Sequence, residues 1–87
     1  MSMSNEQKIN FKFMMLGRKQ YRNAQIYEAK RNYIEAEKYY FLAKQAYEAA
    51  YNLAKKCNDF AQEEANREYR LSTKMYQNMV KINSHQK

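Results

Sequence analysis

Catalysis by a side-chain nucleophile requires a general base within its reach. The chain holds one cysteine, Cys57, and one histidine, His85, and their settings differ. Cys57 continues the apolar spacing of a helix, which suits a packing thiol. His85 falls in a polar C-terminal stretch with no nucleophile beside it. The acidic residues are scattered at positions that a helix would turn to solvent, without the spacing of a metal-ligand cluster. Gly17 is the only glycine, so a glycine-rich phosphate loop is excluded. Glu63, Glu64 and Glu68 form an acidic turn. At a helix start that turn suits the positive end of the macrodipole and reads as a solvated face. These residues point away from an enzyme, and no cofactor or metal is expected.

Two other patterns remain. Lys8, Lys12, Lys19, Arg22 and Lys30 cluster on one face when the segment is projected at ~100° per residue. Residues 1–31 carry seven basic against two acidic residues, and so supply most of the chain's net charge of +7. Such a face is either a solvated surface or an electrostatic contact for an acidic partner. The second pattern is a run of alternating Tyr and Ala through the middle of the chain. Tyr33, Ala36, Tyr40, Ala43, Tyr47, Ala50, Ala54 and Cys57 follow each other at steps of three and four. Tyr39, Leu42, Ala46, Ala49 and Leu53 make a second row beside it. Large residues fill space and small ones permit close approach, so a helix with two such rows has two neighbours.

The elements that position these patterns follow from composition. Among 87 residues there is no proline and a single glycine, while good helix formers dominate. A β-rich domain would need turn residues that are missing. Helix starts are marked by Ser4 with Gln7, Asn32 with Glu35 and Asp59 with Gln62, each a side-chain cap three residues ahead of a reciprocating group. The caps predict helices over about 5–30, 33–57 and 60–82, with tails at 1–4 and 83–87, in one domain. Connections of so few residues make neighbouring helices antiparallel. The expected fold is an all-α, up-down-up three-helix bundle. The inner side of the first helix would carry Ile9, Phe13, Leu16, Gly17, Tyr21, Ala24 and Tyr27. That of the third would carry Ala61, Ala65, Tyr69, Ser72, Met75, Tyr76, Met79 and Ile82.

Ala24, Tyr27, Ala36, Tyr40 and Ala43 fit the spacing of a tetratricopeptide repeat, but the helix continues past Glu48 and no second copy follows. The stretch "AKRNYIEAEKYYFLA", residues 29–43, more closely resembles the central motif of MIT (microtubule-interacting and trafficking) domains. Lys30 or Arg31 stands where that family often has glycine. "YRLSTKMYQNMVKI", residues 69–82, is similar to the third helix of MIT domains of the spastin type, through Arg70, Leu71, Lys74, Met75, Asn78 and Val80. The resemblance covers about residues 9–82.

What the resemblance implies is a three-helix bundle with a tetratricopeptide-like first hairpin, acting as a non-catalytic protein-interaction module. Its partners would be short C-terminal motifs of ESCRT-III-type proteins, laid as a helix between the second and third helices. Tyr40, Tyr47 and Tyr51 could line that groove from the second helix, and Leu71 and Met75 from the third, although core packing suits Tyr40 and Tyr47 better and ordinary exposure suits Leu71 as well. Glu64 and Glu68 could pair with basic residues of the ligand. The basic face could meet acidic tubulin tails or an anionic membrane surface; nucleic acid fits it less well, since the face lacks clustered aromatics. The expected molecule is a cytoplasmic monomer, recruited to endosomal membranes or microtubules. A self-associating helical assembly protein and a tetratricopeptide-like adaptor fragment are the alternatives.

Overall fold

The computed structural model describes residues 4–57 and 59–85. They form three helices, α1 (Asn5–Ala29), α2 (Tyr33–Lys56) and α3 (Ala61–His85), with no strand among the described residues. At the start of α1 the capping box is complete: Gln7 N–H donates to Ser4 Oγ at 3.2 Å, and Ser4 N–H donates to Gln7 Oε1 at 2.9 Å. Two of the otherwise orphaned first-turn amides are thereby satisfied.

The α1–α2 connection is a tight reversal. Arg31 N–H donates to Glu28 O and Asn32 N–H to Tyr27 O, both at 2.9 Å, with Arg31 in the left-handed region at φ 61°. This paired closure ordinarily uses glycine at the left-handed position, where a Cβ is disfavoured. Asn32 then starts α2 by accepting from Glu35 N–H through Oδ1 at 3.3 Å. The reciprocal half of the expected box is replaced, because Asn32 N–H is already committed to Tyr27 O.

At the second connection Asp59 N–H closes on Ala54 O at 2.9 Å, and Asp59 Oδ1 accepts from Ala61 N–H at 3.0 Å rather than from Gln62. Cys57 caps α2 and is exposed, which corrects its expected place on the packed seam. The seam ends one turn earlier, at buried Ala54, because the chain leaves the helix at Cys57. Helix α3 runs past 82 to His85. Its last turn is tied to α2: Asn83 Nδ2 donates to Tyr33 O at 3.0 Å and to Glu37 Oε1 at 2.8 Å. Residues 83–85 are therefore helix and not tail, while the expected tail positions 1–3 and 86–87 lie outside the described residues.

Cross-helix partners show that the bundle is up-down-up. Asn10 meets Ala50, Gly17 meets Tyr47 and Glu28 meets Tyr40, so α2 descends as α1 rises. Tyr69 lies near Lys44, Tyr76 near Phe41 and Asn83 near Tyr33, which reverses direction again. Helix α2 packs along both neighbours, whereas α1 and α3 approach each other much less. The rings of Tyr40 and Tyr47 help fill the space between them. One core cluster joins Met14, Ala43, Tyr47, Ala50 and Ala65; the other joins Ala24, Ala36, Tyr40 and Met79. Small residues around two large rings give close packing, and burying each such ring contributes about 1.5–3 kcal/mol. Gly17 is needed here for proximity, since a Cβ at that position would lie 2.6 Å from Tyr47 Cε1.

Candidate functional site: the groove between α2 and α3

The residue after Tyr40 turns by about 100° and leaves the core. That residue is Phe41, 37% exposed, and its ring meets Tyr76 of α3 at a centroid distance of 5.3 Å and an interplanar angle of 50°. Lys44, one turn on, places Nζ 5.5 Å from the Phe41 ring centroid and 5.7 Å from that of Tyr69. On α3, Tyr69, Tyr76 and the exposed Val80 recur at steps of seven and four along the same side. Glu37, Lys38, Phe41, Leu42 and Tyr76 enclose a shallow hollow of about 220 Å³. The result is a groove with an aromatic floor and lysines along one wall. Chemically it can bury apolar side chains and neutralise a carboxylate; it holds no nucleophile–base pair. Among the described residues, no group of three or more His, Cys, Asp or Glu could hold a metal ion.

The residues expected to line this groove are distributed differently. Tyr40 and Tyr47 are sealed in the core, at 0% and 1% exposure, and face α1 as well as α3. Tyr40 donates its hydroxyl to Glu28 Oε1 at 2.6 Å and stands edge-on to Tyr21, with ring centroids 5.2 Å apart. Burial pushes the Tyr40 hydroxyl far above its ordinary pKa, reinforced by the bond to Glu28. Burial likewise raises Tyr47 to about 12, with the Glu68 carboxylate adding to it. Tyr21 is raised by burial and by Glu68 and Glu28. Tyr51 is half-buried against the first core cluster, with Lys55 Nζ 5.9 Å above its ring.

The expected α3 residues lie on the other side of that helix. Glu64 bridges to Arg18 of α1 at 2.8 Å, an exposed pair contributing about 0–1 kcal/mol. Glu68, Leu71 and Met75 follow Glu64 at helical steps, so all four border α1 rather than the α2 wall. Leu71 is 42% exposed, and Met75 packs against the second core cluster. The groove residues that the pattern did not single out are Phe41 and Lys44, while Tyr69 and Tyr76, expected on the inner side of α3, pack against the core clusters from the groove's edge. Their signal was present as a Phe-x2-Lys step in α2 facing a Tyr-x6-Tyr step in α3, one helical position away from the seam.

The basic residues stand where their spacing put them: Lys8, Lys12, Lys19, Arg22 and Lys30 are all exposed. Lys30 Nζ lies 5.9 Å from the Tyr27 ring, itself stacked on Tyr39. No helix of the described residues is long and apolar enough to cross a membrane. Comparison with protein-family models, with curated proteins and with solved structures finds no match to this chain.

Proposed function

We propose that the chain is a non-catalytic protein-interaction module whose α2/α3 groove receives a short amphipathic helix from a partner protein. The observation that carries this reading is the cation–aromatic strip of Phe41, Lys44, Tyr69 and Tyr76, in which Phe41 is exposed and the other three are partly buried at the margin of the core. A ligand helix with apolar residues at i, i+3 or i+4 and i+7 matches the spacing from Phe41 across Tyr76 to Val80. An acidic residue beside that stripe would meet Lys44 or Lys38. An amphipathic helix is the form in which the MIT-like sequence pattern implies that C-terminal motifs of ESCRT-III-type proteins would be received. The module would then direct an attached or associated protein in membrane trafficking or microtubule-linked processes.

Titration of the labelled chain with a panel of such C-terminal peptides tests the proposal. Amide shifts are expected along 37–45 of α2 and 69–80 of α3. A panel that perturbs no amide removes the reading. Sedimentation of the free chain addresses the alternative of self-assembly: a monomer is expected at micromolar concentration, and an obligate dimer would replace this proposal with an assembly role.

A further inference from the structure

The outermost ridge of α1 carries a pattern that the groove does not use. On the side opposite Gly17 and Ala24, Lys8, Lys12, Met15, Lys19, Arg22 and Ile26 recur at steps of four and three, and all are exposed. Met15 is 49% and Ile26 46% exposed, and Phe11, at the edge of the ridge, is 52% exposed. Neither acidic residue of α1 joins them: Glu28 is held by the Tyr40 hydroxyl, and Glu6 sits in the first turn. Among the described residues no ion pair engages the ridge cations. At ~1.5 Å per residue, Lys8 to Ile26 makes a straight strip of about 27 Å.

We infer that this ridge lays α1 flat on an anionic lipid surface, with Phe11, Met15 and Ile26 entering the boundary between headgroups and acyl chains. Lys8, Lys12, Lys19 and Arg22 then meet the headgroup phosphates and carboxylates. An acidic polypeptide would need only the charges and would leave the interleaved apolar side chains without a role. A lipid interface uses both, because apolar burial and attraction to anionic lipid add for a helix lying in the interfacial plane. A second copy of the same ridge is disfavoured, since it would set like charges against each other. In a three-helix bundle the outside of α1 faces away from the edge formed by α2 and α3. The groove therefore stays open while the ridge is engaged, and lipid binding does not depend on what the groove holds.

Co-sedimentation of the full chain with vesicles tests this, comparing phosphatidylcholine alone with a mixture containing roughly one-third phosphatidylserine. Binding is expected to the mixed vesicles only. K12E/K19E should abolish it. F11S/M15S, which leaves net charge unchanged, should weaken it about tenfold through lost apolar insertion. All four side chains are exposed, so the helical signal of both variants should match the parent. Failure to sediment with the mixed vesicles overturns the inference. So does an F11S/M15S variant that binds as well as the parent, which would make the contact one of charge alone. Tighter binding to poly-glutamate than to the vesicles would assign the ridge to an acidic protein segment instead.

Discussion

Tyr40 and Phe41 are neighbours in sequence, yet they belong to two regions with opposite uses for an aromatic ring. The interior seam encloses Tyr40 and Tyr47 among alanines, against Gly17 and the Glu28 carboxylate, where they set how closely the helices approach. The α2/α3 groove leaves Phe41 exposed beneath Lys44, with Tyr76 partly buried beside it at the margin of the core. One residue of helical phase separates structure from surface. In a glycine-poor helical chain, aromatic content by itself says nothing about binding until the phase of each ring is known.

The sharpest way to break this distinction is by truncation. Tyr47→Ala should cost about 3–5 kcal/mol in urea unfolding, as for other buried large rings, while Phe41→Ala should cost far less. Similar losses at both positions would erase the boundary between seam and groove. Alkaline pH probes the seam alone. The folded state holds the Tyr47 proton up to about 12 against an ordinary value of 10.0, so it binds that proton more tightly than the unfolded chain does. The stabilisation is whole below pH ~10 and falls by about 1.4 kcal/mol per unit as pH climbs through the folded value. Thermal melts across that window should show a flatter decline for Tyr47→Phe, and an unchanged slope would contradict the assignment.

Two smaller effects refine the seam. Ser72 is completely buried and its hydroxyl has no hydrogen-bond partner. Ser72→Ala should therefore raise stability by about 1 kcal/mol, read as a higher denaturation midpoint. Arg31 occupies a left-handed position at φ 61°. Arg31→Gly should add about 0.5–1 kcal/mol net, because relief of the Cβ strain outweighs glycine's greater freedom in the unfolded chain. A destabilised glycine variant would mean that the Arg31 side chain makes a compensating contact.

Much of the fold was legible because its rules are local. The Ser4–Gln7 box, the Asn32 cap and the alternating Tyr/Ala seam each rest on residues within a turn of one another, and each is found in the structure. Asn10 and Asn83 were not legible. Their side chains donate to Ala50 O, at 2.6 Å, and to Tyr33 O, contacts across 40 and 50 residues that no local pattern encodes. The extension of α3 to His85, which includes the Asn83 contact, was not legible either. How the expected groove residues are shared among the three helices was not legible. Tyr40 and Tyr47 were legible as seam, and Glu64, Glu68, Leu71 and Met75 as one stripe of α3, but which neighbour that stripe faces is a tertiary fact. Arg18 pairing with Glu64 shows that it borders α1.

The most direct test of the central claim is the affinity of an ESCRT-III-type C-terminal peptide, by fluorescence anisotropy, for Phe41→Ala and Leu71→Ala side by side. Both residues are exposed, on different sides of the bundle, so neither change should disturb the core. Phe41→Ala is expected to weaken binding by about tenfold or more and Leu71→Ala to leave it unchanged. Loss of binding in Leu71→Ala with full affinity in Phe41→Ala would contradict the claim and move the site to the groove between α1 and α3.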